Sequence, residues 1–184
     1  MDVRPALPVD YAGISELALA NHRSNLSSVE LQNGFLSAKF TMEEIADMAH
    51  DLGIIVARSS DRIVGFVCAS RREWYGQPPM AKRMWTVFAH TVFHGRPLNE
   101  QDVFIYGPVC IDVHYRGQGL LQALYGVLNR ELCARYEAGM CFVAEENQRS
   151  LRAHTNGLGM TDVGHFIHNE SRYHALAFHV AEPM

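Results

Sequence analysis

The stretch VCIDVHYRGQGLLQALYGVL, residues 109 to 128, constrains this chain more than any other. An apolar, strand-like run passes through Arg116-Gly117-Gln118-Gly119 straight into a segment with Leu120, Leu121, Leu124, Val127, Leu128 and Leu132 on one helical face. Glycines at a strand-to-helix junction let the backbone come close to a ligand, and the first amides of a helix have no intrahelical acceptor. Free donors at the positive end of a helix make an anion site, most naturally for a phosphate. Arg116 would add a forked cation at its mouth. A tight turn with a surface arginine is the plain alternative. No Gly-Lys-Ser/Thr follows the loop and no G-x-G-x-x-G is present, so it is neither a Walker loop nor a dinucleotide fingerprint.

The rest of the chain fits a single domain over residues 1–184, with 48% apolar and 20% charged residues. A net charge of −4 argues against nucleic acid as a partner. No apolar run approaches the roughly 20 residues of a membrane span, and MDVRPALPVDYAG lacks a basic flank before an apolar stretch, so no membrane contact and a cytoplasmic location are expected. Cys68, Cys110, Cys133 and Cys141 stand singly in apolar segments and read as reduced core thiols. The 10 histidines show no ligand spacing, so no metal is expected.

The periodicities predict a mixed order of helices and strands. Val3–Leu7 reads as a strand, and Asp10 as the N-cap of a helix carrying Ile14, Leu17 and Ala18. Thr41 and Glu44 form a capping box ahead of Ile45 and Met48. Ile54–Ala57 and Ile63–Ala69 flank a polar turn and read as a hairpin. After Pro78–Pro79 a helical rhythm runs to about Val92 and ends at Gly95 and Pro97. Val103–Ile111 is a strand in which Gly107–Pro108 demand a bulge or a splay. A helix over 119–136, a strand at Met140–Ala144, a short helix at Ser150–Asn156 and strands at 163–168 and 172–180 complete the chain.

The run IDVHYRGQGLLQALY resembles the acetyl-CoA-binding motif of the GCN5-related N-acetyltransferases, Gln/Arg-x-x-Gly-x-Gly/Ala after a strand, with Leu121 at the last position. Further on, EENQRSLRAHTNGLGM is similar to the family's Asn-x-x-Ser/Ala segment at Asn147 and Ser150, with Gly159–Met160 in place of Gly-Phe. The resemblance implies an α/β (α+β) fold: a mixed, mostly antiparallel sheet of six to seven strands with helices on both faces. It implies acetyl-CoA as co-substrate and direct transfer to a primary amine of a small molecule or protein in a ternary complex. Amides of Gly117, Gln118, Gly119, Leu120 and Leu121 would hold the pyrophosphate, with Arg116 nearby. Val109 and Ile111 would pair their backbones with the pantetheine arm. Asn147 would hydrogen-bond it, and Ser150 would cap the next helix.

For the chemistry, the amine needs a base, the thioester oxygen a donor and the leaving thiolate a proton. Backbone amides around Val109 to Ile111 are the expected oxyanion donors. Glu145, Glu146 and Asp112, at strand ends, are candidate bases or simply solvated charges. His154 stands where many relatives carry a tyrosine, seven residues after Asn147, and is the candidate acid, with water or Tyr106 as the substitute. Trp74, Tyr75, Trp85, Phe88 and Phe93 could line an acceptor pocket, pack on a second subunit in a homodimer, or fill a core. A noncatalytic acetyl-CoA-binding domain on the same fold is the alternative function, and a Cys–His hydrolase is disfavoured because no thiol sits in an electropositive loop.

Overall fold

The computed structural model describes residues 1–74 and 79–180; Tyr75 and Pro78, which the sequence reading used, lie outside them. In chain order the elements are β1 (Asp2–Pro5), α1 (Tyr11–Ala20), α2 (Ser28–Leu31), α3 (Met42–Asp51), β2 (Ile54–Ser59), β3 (Arg62–Arg71), α4 (Pro79–Phe88), β4 (Val92–Phe93), β5 (Arg96–Pro97), β6 (Val103–Ile111), α5 (Leu120–Leu132), β7 (Ala138–Ala144), α6 (Gln148–Arg152), β8 (Thr161–His168) and β9 (Ser171–His179). A seven-stranded sheet in the order β1-β2-β3-β6-β7-β9-β8 forms the frame. Every pairing in it is antiparallel except β6 with β7.

Helices cover both faces, as the expected fold class requires. On one face Leu120, Leu124, Leu128 and Leu132 of α5, at most 4% exposed, pack with Val64, Phe104, Tyr106 and Phe178. Burying each leucine contributes about 1.5–3 kcal/mol. The helix comes in close because β3 carries Gly65, where a Cβ would sit 3.3 Å from both Leu120 and Leu124. On the other face α1 and α3 cover Ile54, Val56, Phe66 and Cys110, and α4 covers Ile105, Met140 and Ala175.

Several local expectations need correction. Asp10 does not cap α1 with its side chain; it is buried, accepts from the Leu7 amide at 2.8 Å and pairs with Arg4 at 2.7 Å. The helix after Pro79 stops at Phe88, and residues 92–97 make a two-strand ribbon turning at His94-Gly95, both with positive φ. Phe88 and Phe93 are core residues there. The Thr41–Glu44 capping box forms in both directions.

Candidate active site

The sheet opens in its middle. The parallel ladder of β6 and β7 holds only from Val103↔Ala138 to Ile105↔Met140. Beyond it the register of β6 against β3 shifts between Val67 and Ala69, opposite Gly107–Pro108, and β6 turns away from β7. Proline has no N–H for a ladder and Gly107, at φ +111°, takes a conformation other residues avoid. The splay expected at this pair is therefore present. Asp112 N–H bonds to Val64 on β3. Alternation along the strand then turns the backbones of Val109 and Ile111 toward the opened side, facing β7.

A groove of about 340 Å³ runs from this opening to the N-terminus of α5. Gly119 is the N-cap in the left-handed region at φ +79°, and Gly117 lies at φ +75°. A Cβ at either would meet nothing within 4 Å, so both glycines are required by backbone shape and not by crowding. Among the described residues, the amides of Gly117, Gln118, Gly119, Leu120 and Leu121 have no backbone acceptor; the first return bond of the helix is Ala123 N–H to Gly119 O at 3.1 Å. A cradle of unspent donors at a helix N-terminus suits a phosphate. Leu120 and Leu121 line the groove wall.

Arg116 is placed differently from the expected free cation. Its Nε donates to the Ile111 carbonyl at 2.7 Å, one Nη to Asn21 Oδ1 at 2.8 Å and the other to the Asn33 carbonyl. The fork is spent on clamping the 21–33 segment to the end of β6. The groove's exposed arginine is Arg149, which also reaches Asn33 Oδ1 at 3.2 Å. It went unnoticed because its only mark in the sequence is a place between Asn147 and Ser150.

The cap of α6 is Asn147 and not Ser150. Asn147 caps α6, accepting from Ser150 N–H at 3.3 Å, and its Nδ2 donates to the Phe35 carbonyl at 3.0 Å. Ser150 carries the carbonyl that receives His154 Nδ1 at 2.7 Å. A carbonyl can only accept, so the proton of neutral His154 resides on Nδ1 and Nε2 is bare. Burial pushes the His154 pKa down, against the opposing Ser150 hydrogen bond. A neutral ring with its proton committed to the backbone is a poor general acid.

The groove meets a second cavity, of about 140 Å³, at Phe35, Val109, Asn147, Ser150 and His154. Its walls come from the 35–40 loop, Met48 of α3, Trp74, the start of α4, β6 and β7. Tyr106 lines this cavity; its buried hydroxyl has no hydrogen-bond partner among the described residues, and its ring lies 5.7 Å from the His154 ring. Desolvation, with smaller contributions from Cys141 and Tyr125, raises its pKa well above the ordinary phenol value, so it stays a neutral donor. Cys141 also lines the cavity, and burial pushes its thiol up to about 12, which removes it as a nucleophile.

The carboxylates are elsewhere. Glu145 is half exposed and faces Arg172 at 3.7 Å and His174 at 3.9 Å, Glu146 pairs with Arg23, and Asp112 caps the turn after β6 through His114 N–H. None of the three lines the cavity. Of the aromatics singled out between 74 and 93, Trp74 alone among the described residues lines it. Phe35, Phe40, Phe142 and Tyr173 complete it instead. Their signal was faint: two phenylalanines in an irregular loop and two aromatics inside strand runs.

No family model matches the sequence, and no curated protein matches it. Solved structures do. An acetyltransferase of the GNAT family from Streptococcus pneumoniae superposes with a TM-score of 0.61 at 16% identity, covering 98% of this chain and 99% of its own. An aminoglycoside 6'-N-acetyltransferase complexed with coenzyme A gives 0.65 at 13% identity, covering 100% and 99%. A Salmonella typhimurium protein described as an acetyltransferase, crystallised with its cofactor acetyl-CoA, gives 0.64 at 13%, covering 100% and 96%. This chain has the fold of the GCN5-related N-acetyltransferases. No helix among the described residues is long and apolar enough to cross a membrane.

Proposed function

We propose that this chain is an acetyl-CoA-dependent N-acetyltransferase acting on a primary amine. The observation that carries the reading is the junction of two cavities at Val109 and His154. One leads to the unspent amides of residues 117–121, the other is a mostly apolar cavity with no charged side chain among its described lining residues. Two solved structures of the same fold, one with acetyl-CoA and one with coenzyme A, support it.

Acetyl-CoA would supply an activated acetyl thioester. Gly117 to Leu121 would bind its pyrophosphate, assisted by Arg149, and the outward backbones of Val109 and Ile111 would orient the pantetheine arm. The Ile111 carbonyl is already held by Arg116, which leaves its N–H for that purpose. Asn147 shapes the groove by fixing the Phe35 loop. The Val109 amide beside the Gly107–Pro108 splay is the candidate oxyanion donor. Tyr106 would offer its hydroxyl as hydrogen-bond donor to the developing thiolate, and His154 packs edge-on against the tyrosine ring. In this reading the acid is Tyr106 in place of His154, and Glu145, which pairs with Arg172 outside the cavity, is not the direct base.

The test is release of free thiol from acetyl-CoA over a panel of amines, read beside calorimetric binding of CoA. Binding with turnover on at least one amine is expected. Tight CoA binding with no turnover on any amine would favour a noncatalytic acetyl-CoA-binding domain, and absence of CoA binding would overturn both.

A further inference from the structure

Among the described residues, no Asp, Glu, Lys or Arg lines the smaller, mostly apolar cavity. Phe35, Phe40, Met80 and Phe142 line much of it, and its polar side chains, among them Ser37, Ser70, Asn147 and His154, are uncharged at pH 7. Moving an ammonium group from water into such a space costs several kcal/mol unless a carboxylate meets it. A protonated amine must then also lose its proton before it can attack, and the three strand-end carboxylates stand outside the cavity. The absence of a carboxylate, as counter-ion or as base, among the described residues of the cavity has one explanation in the acceptor.

We propose, resting on the transfer reading above, that the acceptor is a weakly basic aromatic amine, uncharged at neutral pH and carried on a single ring. Such an amine enters without desolvating a charge and arrives with its lone pair free. The volume agrees: about 140 Å³ is close to the roughly 150 Å³ of an apolar cavity that holds one benzene ring. Phe35, Phe142 and Tyr173 provide ring faces and edges for stacking. In the transfer, the amine nitrogen forms a bond to the acetyl carbon, the carbon–sulfur bond breaks with its electron pair on sulfur, and one N–H proton passes to sulfur. The products are the N-aryl acetamide and the CoA thiol, with no other reactant.

The test compares aniline, benzylamine, cyclohexylamine and spermidine at pH 7 with saturating acetyl-CoA. Benzylamine keeps the ring but is protonated; cyclohexylamine keeps the apolar bulk and is protonated. After correction for the uncatalysed rates, kcat/KM for aniline is expected to exceed both by at least about tenfold, with spermidine slowest. Ser37→Asp, which places a carboxylate on the half-buried loop wall, is expected to swing the ratio toward benzylamine by about tenfold. A wild-type preference for benzylamine, cyclohexylamine or spermidine would overturn the proposal while leaving acetyl transfer intact. If no amine turns over, calorimetric titration of aniline and benzylamine into the CoA-loaded protein decides: tighter aniline supports the assignment, and tighter benzylamine or no binding by either overturns it. Failure of CoA itself to bind would instead overturn the transfer reading and this one with it.

Discussion

Replacing Arg116 separates two accounts of the most conspicuous residue in the loop. As a phosphate ligand it would matter for affinity; as a clamp it matters for folding. The guanidinium makes three hydrogen bonds, to Ile111 O, Asn33 O and Asn21 Oδ1, across 83 and 95 residues of sequence for the last two. A hydrogen bond from a charged donor contributes about 1.5–3 kcal/mol when its acceptor is left bare. Asn21 and Asn33 are only half-buried, so water replaces part of the loss. Three bonds at the low end sum to about 4.5 kcal/mol, and the water that replaces part of them brings the figure for Arg116→Met to about 3 kcal/mol. For a domain of this size that is a fall of roughly 6–12 °C in Tm. Arg116→Lys keeps a cation near the groove but cannot fork to three acceptors, so its Tm should fall nearly as far. Thermal unfolding by circular dichroism, with CoA titrations on each variant below its transition, reads both quantities. A wild-type Tm in Arg116→Met together with CoA affinity lost more than tenfold, restored in Arg116→Lys, would refute the clamp.

Other outcomes follow from single contacts. Tyr106→Phe removes a buried hydroxyl that has no partner, so Tm should hold or rise by a few degrees while thiol release slows by at least about tenfold; unchanged turnover would remove Tyr106 from the mechanism. His154 is neutral when folded and its pKa is lowered by burial, so below its ordinary value near 6.5 the unfolded chain binds more protons and stability falls as pH drops. His154→Gln should flatten the Tm–pH slope between pH 7 and 5.5, and a slope identical to wild type would contradict the buried neutral ring. Gly139→Ala would put a Cβ 2.1 Å from the Phe178 ring, costing about 1–3 kcal/mol through overpacking, measurable by urea unfolding.

Much of this arrangement is legible in the sequence. The strand–glycine–helix unit needs no partner to declare itself, because αL glycines and an amphipathic leucine face are local properties; residues 103–132 emerge as expected. Gly107–Pro108 likewise announce the splay. The failures are at places where one particular partner, near or far in sequence, decides. Asp10 looks like a cap until Arg4 and the Leu7 amide claim it. Arg116 looks free until Asn21 and Asn33 fold onto it. His154 looks like an acid until its Nδ1–H is found donating to the Ser150 carbonyl, and Glu145 looks like a base until β9 supplies Arg172 and His174. The cavity wall is similarly nonlocal, since it joins a loop at 35–40 to strands a hundred residues later.

The central claim is that the amides of residues 117–121 bind the pyrophosphate of CoA, and calorimetric titration of CoA into wild type and Gly119→Asp tests it most directly. The substitution strains a residue at φ +79° and sets a carboxylate where phosphate should sit, in space that is otherwise open. The account predicts binding by wild type and a loss of at least tenfold in the folded variant, about 1.4 kcal/mol. Equal affinity in a variant with native circular dichroism would contradict it.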